Sequence, residues 1–252
     1  MLIILKSPTL IEVMDEANKI VHLVLDHAET NVKAGMTTKE LNALLEQKLA
    51  EFPEATSAFK GYKGYPDVSC ISVNEEVVHG IPSDRIINDG DIVSVDFGVY
   101  YKKMAGDAAR TFMIGNVKED TKKLVAETRR GLFEGIEQMR KGNTLQDISM
   151  AIDAVAKQNG YGNVKGFCGH GIGERMHEPP NVFNYVAPGQ ENVRLRTGMV
   201  LALEPMFNLG TSDTEILKDR WTVITKDKSL SCHWELSVAI TDDGPKILGA
   251  RR

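Results

Sequence analysis

Cysteine is scarce in this chain, and its few copies are far apart. Cys70, Cys168 and Cys232 form no C-x-x-C pair, so the sequence predicts neither a disulfide framework nor a cysteine-based zinc site. Long hydrophobic runs are also lacking. The apolar stretch from Met1 to Leu5 is too short for the core of a signal peptide, and no later run is long enough to cross a membrane. We therefore expect a cytoplasmic protein without a membrane contact.

The chain also has no excess of positive charge. The net charge is -5 at pH 7, which is a poor electrostatic match for DNA, and we expect no DNA partner. Hydrophobic residues make up 42% of the chain and charged residues 26%. These values are ordinary for a globular protein, and they exclude a disordered chain or a fibre.

The chain begins with helical patterns and then changes to strand-like ones. Ser7-Pro8 predicts a helix start, with the serine hydroxyl as the cap and proline in the first turn. Thr37-x-x-Glu40 predicts a second start through a capping box. Residues from about 56 to 114 are short β-rich runs, and a new helical stretch follows over roughly 119–140.

Two motifs recur in the same order. Gly-x-Thr-x-x-x-Leu at residues 35–41 returns 107 residues later as Gly-x-Thr-x-x-x-Ile at 142–148, and Gly-Asp-Ile-Val-Ser-Val-Asp at 90–96 aligns with Gly-Met-Val-Leu-Ala-Leu-Glu at 198–204, at an offset of 108. Either match alone could be chance, because many strands follow a glycine. Together they predict a duplicated helix–helix–strands unit.

No low-complexity linker separates the repeats, so we expect them to share one core. The predicted architecture is a single α/β (α+β) domain over residues 1–252, with halves of about 1–116 and 117–252.

Four acids each lie in apolar, β-like sequence: Asp96, Asp107, Glu204 and Glu235. Any one of them could be a solvated strand end. A two-residue turn at Tyr101-Lys102 would place Asp96 directly opposite Asp107, with Cβ atoms about 4.5–5.5 Å apart. Two like charges at that distance need a cation. The repeat would bring the second acid pair face to face with the first, which favours a pair of divalent metals.

Histidines add to this pattern. His170 lies in a glycine-rich bend that lets the backbone approach a ligand closely, although it could simply bond a backbone carbonyl. His79 and His177 each precede a proline by three residues; they could be ordinary turn residues, but a neutral imidazole also suits donation to a substrate carbonyl or amide. His233 shares a face with Glu235 and remains unassigned.

Four carboxylates and one imidazole are a harder ligand set than structural zinc prefers, and they indicate Co, Mn or Fe(II). Two such ions would generate a hydroxide nucleophile at neutral pH and polarise a carbonyl, as in metal-assisted hydrolysis.

The ordered motifs resemble those of the bacterial type I methionine aminopeptidases over essentially the whole chain. The matching segments are Lys60–Tyr65, Ser72–Pro82, the Asp96/Asp107 pair, Gly169–Gly173, Leu203–Met206 and Glu235. The resemblance implies the pita-bread fold, a pseudo-twofold α/β architecture with two metal ions between the halves. It also implies removal of the initiator methionine from nascent polypeptides whose second residue is small.

The resemblance assigns roles to individual residues. The metal ligands would be Asp96, Asp107, His170, Glu204 and Glu235, with Asp107 and Glu235 bridging. Glu204 would also carry the proton of the nucleophilic water, His177 would stabilise the oxyanion and His79 would contact the amide nitrogen. The methionine pocket would comprise Phe59, Tyr62, Tyr65, Cys70, His79, Met176, His177 and Trp221. Without the resemblance, Cys70 and these aromatics could be plain core.

Three positions depart from the family pattern. Leu236 replaces the usual histidine after the last metal-binding glutamate, and it would lower metal affinity or rate if that position supports the metal. Met176 stands where phenylalanine is common, which would loosen the pocket. Arg220 replaces the usual glycine before Trp221 and would change the pose of the indole.

Two other functions remain open from the sequence. A Pro-specific pita-bread peptidase, such as a prolidase or aminopeptidase P, usually has an extra N-terminal domain, and a helix starting near residue 8 leaves no room for one. A metal-free pita-bread binding module should have lost its ligands, whereas all five are present. We expect a monomer, and any transient contact with the ribosome should be local and salt-sensitive.

Overall fold

The computed structural model of this protein describes residues 3–250. The first two residues of the apolar N-terminal run, Met1 and Leu2, therefore lie outside the described residues. The helices are α1 (Pro8–Asn31), α2 (Thr38–Leu49), α3 (Glu119–Glu137) and α4 (Leu145–Asn159), with a 3-10 turn at Tyr62–Gly64.

The first-half strands are β1 (Ala55–Ser57), β2 (Ser69–Val73), β3 (Glu76–Val78), β4 (Ile92–Tyr101) and β5 (Met104–Met113). The second-half strands are β6 (Gly162–Asn163), β7 (Gly169–Gly171), β8 (Glu178–Val182), β9 (Val200–Leu203), β10 (Met206–Asn208), β11 (Thr214–Ile216), β12 (Val223–Thr225), β13 (Ser231–His233), β14 (Glu235–Thr241) and β15 (Gly244–Ile247).

The predicted helix starts are confirmed. The Ser7 hydroxyl caps α1 by accepting the N–H of Leu10. At α2 the capping box is reciprocal: the Thr37 hydroxyl accepts the N–H of Glu40, and the Glu40 carboxylate accepts the N–H of Thr37. Helix α3 ends at Glu137, three residues before its predicted end, because the next N–H groups bond carbonyls three residues back and tighten the last turn.

The two helix pairs are joined to the strands in the same way. Gly35 and Gly142, which lie two residues before the capping threonines, have φ of 88° and 98°, a region that favours glycine. The N–H of Gly35 donates to the Ile87 carbonyl at 2.8 Å, and that of Gly142 to the Leu195 carbonyl at 3.1 Å. The first predicted repeat motif thus has the same local structure in both halves.

The second repeat motif also matches. Gly90 and Gly198 have φ of 91° and 90°. Gly90 donates its N–H to the Ile114 carbonyl at 2.7 Å, and Gly198 donates to the Ile240 carbonyl at 2.9 Å. Each glycine turns the chain into a strand that carries one of the predicted acids: Asp96 lies within β4, and Glu204 directly follows β9.

A nine-stranded antiparallel sheet joins the halves. Its order is β1-β4-β5-β14-β9-β7-β8, with β2 added beside β4 and β15 beside β14. Strands β5 and β14 pair at the junction, so the hairpin of the first half lies directly beside the strands of the second. The observed architecture combines helices and strands, as the predicted α/β (α+β) class requires.

The predicted register of the β4–β5 hairpin is wrong. The turn residues are Lys102 and Lys103, both with positive φ, because β4 continues through Tyr101, where it pairs with β1. Two successive residues of positive φ are typical of a tight hairpin turn. The observed partners are Asp96 with Ala109 and Gly98 with Asp107. The shift is an even number of residues, so both acids still share one face as diagonal neighbours.

Alternation along the strands separates the core from the acids. Val93, Val95 and Phe97 pack against α1 and α2, whereas Leu201 and Leu203 pack against α3 and α4. Asp96 and Glu204 consequently lie on the opposite face of the sheet from the helices. Within residues 3–250, none of the helices combines the length and the apolar character that a membrane crossing needs.

Candidate metal centre and adjoining pocket

The five predicted metal ligands line one cavity. They reach it from β4 (Asp96), β5 (Asp107), β7 (His170), the end of β9 (Glu204) and the start of β14 (Glu235). Asp107, His170 and Glu235 each offer one ligand atom, and these three atoms lie within 4.8 Å of one another. The structure thus brings together residues that are up to 139 positions apart in the sequence.

Three carboxylate oxygens of this cluster lack hydrogen-bond partners among the described residues. Asp96 Oδ1, Asp107 Oδ1 and Glu235 Oε1 are buried and have none among the described residues. Buried carboxylate oxygens are costly when nothing compensates them, and a divalent cation supplies that compensation. The residues present therefore fit a divalent metal.

The carboxyl pKa values point the same way. Burial raises the pKa of Asp96 to about 7. Burial first, and then the neighbouring carboxylates, raise the pKa of Asp107, Glu204 and Glu235 well above their usual range. Such a cluster holds protons unless a cation replaces them, because desolvation and like charge both disfavour the ionised form.

His170 is prepared to act as a ligand through Nε2. Its Nδ1 lies 2.9 Å from the Gly171 carbonyl, so the hydrogen-bond network places the ring proton on Nδ1. Nε2 faces Asp107 Oδ2 at 3.9 Å and Glu204 Oε1 at 3.8 Å. Burial, with a smaller contribution from His177, lowers the pKa of His170 to about 3, which keeps the imidazole neutral.

His177 and His79 both border the acids. The His177 ring lies 4.2 Å from that of His170 and stacks on Tyr62, whose hydroxyl is 3.0 Å from His177 Nδ1. His79 has φ of 60°, a strained conformation for a side chain with a Cβ. Burial lowers the pKa of His79 to about 4 and that of His177 below its usual value. Both rings are therefore neutral at pH 7.

The cavity that the acids line has a volume of about 160 Å³. Its lining includes the predicted pocket residues Phe59, Tyr62, Tyr65, Cys70, His79, His177 and Trp221. Met176 is the exception: it is fully buried and packs behind Phe59 instead of lining the cavity. The two side chains meet over Gly98, where a Cβ would come within 2.6 Å of Met176 Cε and 2.7 Å of Phe59.

The pocket wall is mostly apolar. The Tyr65 hydroxyl donates away from the cavity, toward the carbonyls of Ser69 and Gly80, while its ring meets Trp221 edge-on at 5.0 Å. Burial, reinforced by the Asp96 carboxylate, raises the pKa of the Cys70 thiol, which therefore stays neutral. An aromatic wall with a soft sulfur suits an unbranched apolar side chain.

Two of the departures from the family pattern have a structural explanation. Leu236 points to the helix side of the sheet and packs against the cores of both halves, so it does not border the metal cluster. Leu236 therefore makes no contact through which it could lower metal affinity. Arg220 has φ of 68°, where glycine is favoured, and Asp219 stabilises the turn by accepting the N–H groups of Trp221 and Thr222.

Some neighbours of the site were missed from the sequence. Lys63 lines the cavity from the 3-10 turn; its only signal is its position between Tyr62 and Gly64. His233, unassigned from the sequence, lies within 4.0 Å of Glu204 and Glu235. Strand alternation with Glu235 was the available signal.

Comparison with known proteins gives a consistent result. The profile of metallopeptidase family M24 matches residues 12–242. A methionine aminopeptidase of Clostridium acetobutylicum is 46% identical over 248 residues, covering 98% of each chain. The crystal structure of methionine aminopeptidase from Rickettsia prowazekii matches with a TM-score of 0.95 at 36% identity, covering 99% of this chain and 100% of that one.

A more distant likeness concerns the fold alone. The prolidase of Pyrococcus horikoshii has a TM-score of 0.80 at 24% identity. The match covers 99% of this chain but 64% of the prolidase.

Proposed function

This chain belongs to metallopeptidase family M24, and from that membership we propose that it removes the N-terminal methionine of nascent polypeptides whose second residue is small. The observation that carries this proposal is the direct contact between a buried acid–histidine cluster and a small aromatic pocket containing Cys70. The cluster supplies hydrolytic chemistry, and the pocket selects the side chain.

The acids and His170 would hold two divalent ions, with Co, Mn or Fe(II) as candidates. When bound, the metals activate water and polarise the scissile carbonyl. Glu204 accepts the proton of that water and passes it to the leaving amine, a role that suits a carboxyl whose pKa is raised by burial.

Two neutral imidazoles handle the substrate amide. If the Tyr62 hydroxyl donates to His177 Nδ1, the ring proton is on Nε2 and is available to the oxyanion that forms at the carbonyl. His79, held at positive φ beside Trp221, contacts the amide nitrogen of the leaving chain.

A larger open groove of about 720 Å³ shares His170 and His177 with the pocket and continues past Phe167, Cys168 and Pro180. It offers room for the rest of a polypeptide beyond the first residue. This arrangement favours a polypeptide substrate over a free dipeptide. We also propose that the protein acts in the cytoplasm as a monomer and that any ribosome contact is transient.

The test is methionine release from Met-Ala-Ser by metal-stripped protein, titrated anaerobically with Mn(II), Fe(II) and Co(II). Leu-Ala-Ser tests the pocket, and Ala-Pro peptides test the Pro-specific alternative. We expect metal-dependent cleavage of the methionine peptide alone. Asp107→Asn should abolish it, whereas Asp84→Asn, an exposed carboxylate outside the cavity, should not. Cleavage restricted to Ala-Pro peptides would contradict the proposal.

A further inference from the structure

His233 is a buried imidazole beside the acids for which the proposed reaction has no role. Its side chain is 2% exposed, and its Nε2 has no hydrogen-bond partner among the residues that the structure describes. It precedes Glu235 by two residues and therefore shares its face of the chain. Buried polar atoms almost always have a hydrogen-bond partner, so we expect this nitrogen to find one within the site.

The backbone at His233 is firmly held. Thr111 Oγ1 donates to the His233 carbonyl at 2.7 Å and accepts the His233 N–H at 3.2 Å. The same hydroxyl lies 2.7 Å from Ser94 Oγ, and His233 pairs with Met206 between β13 and β10. The imidazole can therefore adjust only by side-chain rotation.

His233 Nε2 faces two carboxylates. It lies 4.0 Å from Glu204 Oε2 and 3.9 Å from Glu235 Oε2. The other oxygens have different neighbours: Glu204 Oε1 lies 3.8 Å from His170 Nε2, and Glu235 Oε1 is buried and has no hydrogen-bond partner within residues 3–250. The two oxygens of each carboxylate are thus in distinct environments.

We propose that His233 is a positioning residue whose Nε2–H is shared between the Oε2 atoms of Glu204 and Glu235, leaving their Oε1 atoms to face the metals. Hydrogen bonds at reactive sites are commonly long in the unliganded state and shorten on loading. A donor behind a ligand carboxylate fixes the direction of its free lone pairs. The inference rests on the proposed function and adds a residue to it.

Two substitutions separate this role from simple packing. His233→Gln keeps an N–H close to the position of Nε2, whereas His233→Leu fills much of the volume without a donor. We expect His233→Leu to weaken Mn(II) binding, measured by calorimetry, and kcat on Met-Ala-Ser by about 10–100-fold each, with KM little changed. His233→Gln should restore both values to near those of the parent. His27→Gln, on α1 away from the cavity, is the matched control. Equal losses in the Gln and Leu variants would overturn the proposal.

The tautomer gives an independent readout. Protein labelled with 15N-histidine and loaded with diamagnetic Zn(II) should show a His233 ring with its proton on Nε2, assigned by the loss of that signal in His233→Gln. An unprotonated Nε2 would overturn the proposal in favour of direct metal ligation. If the parent protein released no methionine, the proposed function would fail, but the NMR result would still decide the tautomer of His233.

Discussion

The two halves of the molecule present their acids in different ways. In the first half, Asp96 and Asp107 lie on consecutive strands joined by a two-residue turn and are diagonal neighbours. In the second half, Glu204 and Glu235 each lie one residue beyond the last pair of the β9–β14 ladder, Leu203 with Leu236. Residues 205–234 connect them, in place of a tight turn.

The two halves therefore differ in the segment that joins their acids. The β4–β5 hairpin is a continuous ladder of ten pairs, and it holds its two acids by local hydrogen bonding. The longer connection in the second half carries Trp221 into the pocket and His233 behind the glutamates. The two halves thus each contribute two of the four acids, and the connection in the second half adds Trp221 and His233 beside them.

The equivalent acids Asp96 and Glu204 should differ when they are neutralised. Glu204→Gln removes the proposed proton carrier, so kcat on Met-Ala-Ser should fall about 10²–10⁴-fold even at saturating Mn(II). Asp96→Asn leaves that group in place, so its defect should lie mainly in metal affinity and should recover at high metal. Steady-state kinetics combined with calorimetric metal titration distinguish the two. A Glu204→Gln enzyme within tenfold of the parent would contradict this assignment.

A buried ion pair ties the N-terminal segment to the second half. Lys6 Nζ lies 2.7 Å from Glu178 Oε2, with both side chains at most 4% exposed. Lys6→Met would leave the carboxylate buried without its partner, at a cost of about 3–5 kcal/mol of unfolding free energy by urea titration.

Two controls define that effect. The double variant Lys6→Met/Glu178→Met should recover most of the loss, because an apolar pair needs no compensation. Lys19→Met breaks the exposed contacts with Asp15 and Glu16, and it should cost at most about 1 kcal/mol. A double variant as unstable as the single one would show that the charge is not the cause.

Metal binding should depend equally on the two halves. At a free metal concentration about 100 times Kd, binding to the native state stabilises it by about 2.7 kcal/mol, which corresponds to a rise in Tm of about 5–10 °C for a chain of this size. Asp107→Asn and Glu235→Gln each remove a member of the three-residue cluster, one from each half, and both should abolish the rise in calorimetry. Asp84→Asn should keep it. If the rise in Tm persists in only one of the two ligand variants, the first metal binds without the substituted residue and therefore depends on the half that this variant leaves unchanged.

The sequence predicts helix starts, turns and the faces of strands well because these features depend on short-range patterns. The capping threonines, the glycine turns and the faces that carry Asp96 and Glu204 follow from spacing alone. The hairpin register does not, because pairing with β1 extends β4 by one residue and displaces the turn. The burial of Met176 behind Phe59 depends on contacts between distant segments, and so do the surroundings of His233 Nε2, which has no hydrogen-bond partner in the described part of the chain. Spacing cannot specify such contacts.

The helix starts provide the finest comparison of the two halves. Thr37→Ala removes the hydroxyl that accepts the N–H of Glu40, and Thr144→Ala removes the hydroxyl that donates to the Asp147 carboxylate. Each should lower the unfolding free energy at pH 7 by about 1 kcal/mol. Thr30→Ala, at an exposed threonine near the end of α1, should be nearly neutral because alanine has the higher helix propensity. A marked difference between the two cap variants would show that the repeat does not extend to the energetics of its helix starts.

The cap contributions should also share one pH dependence. Hydrogen bonds from the Thr37 backbone and hydroxyl lower the pKa of Glu40, and those from the Thr144 hydroxyl and backbone lower that of Asp147. A carboxyl whose folded-state pKa is depressed stabilises the fold above its unfolded-state pKa, about 4 for these groups, and loses that contribution as the pH falls through the folded-state value. Urea titrations of the parent and both variants from pH 7 to pH 3 should therefore converge toward low pH. If the difference in unfolding free energy between the parent and each variant stayed constant from pH 7 to pH 3, the Glu40 and Asp147 carboxylates would contribute nothing to the start of either helix.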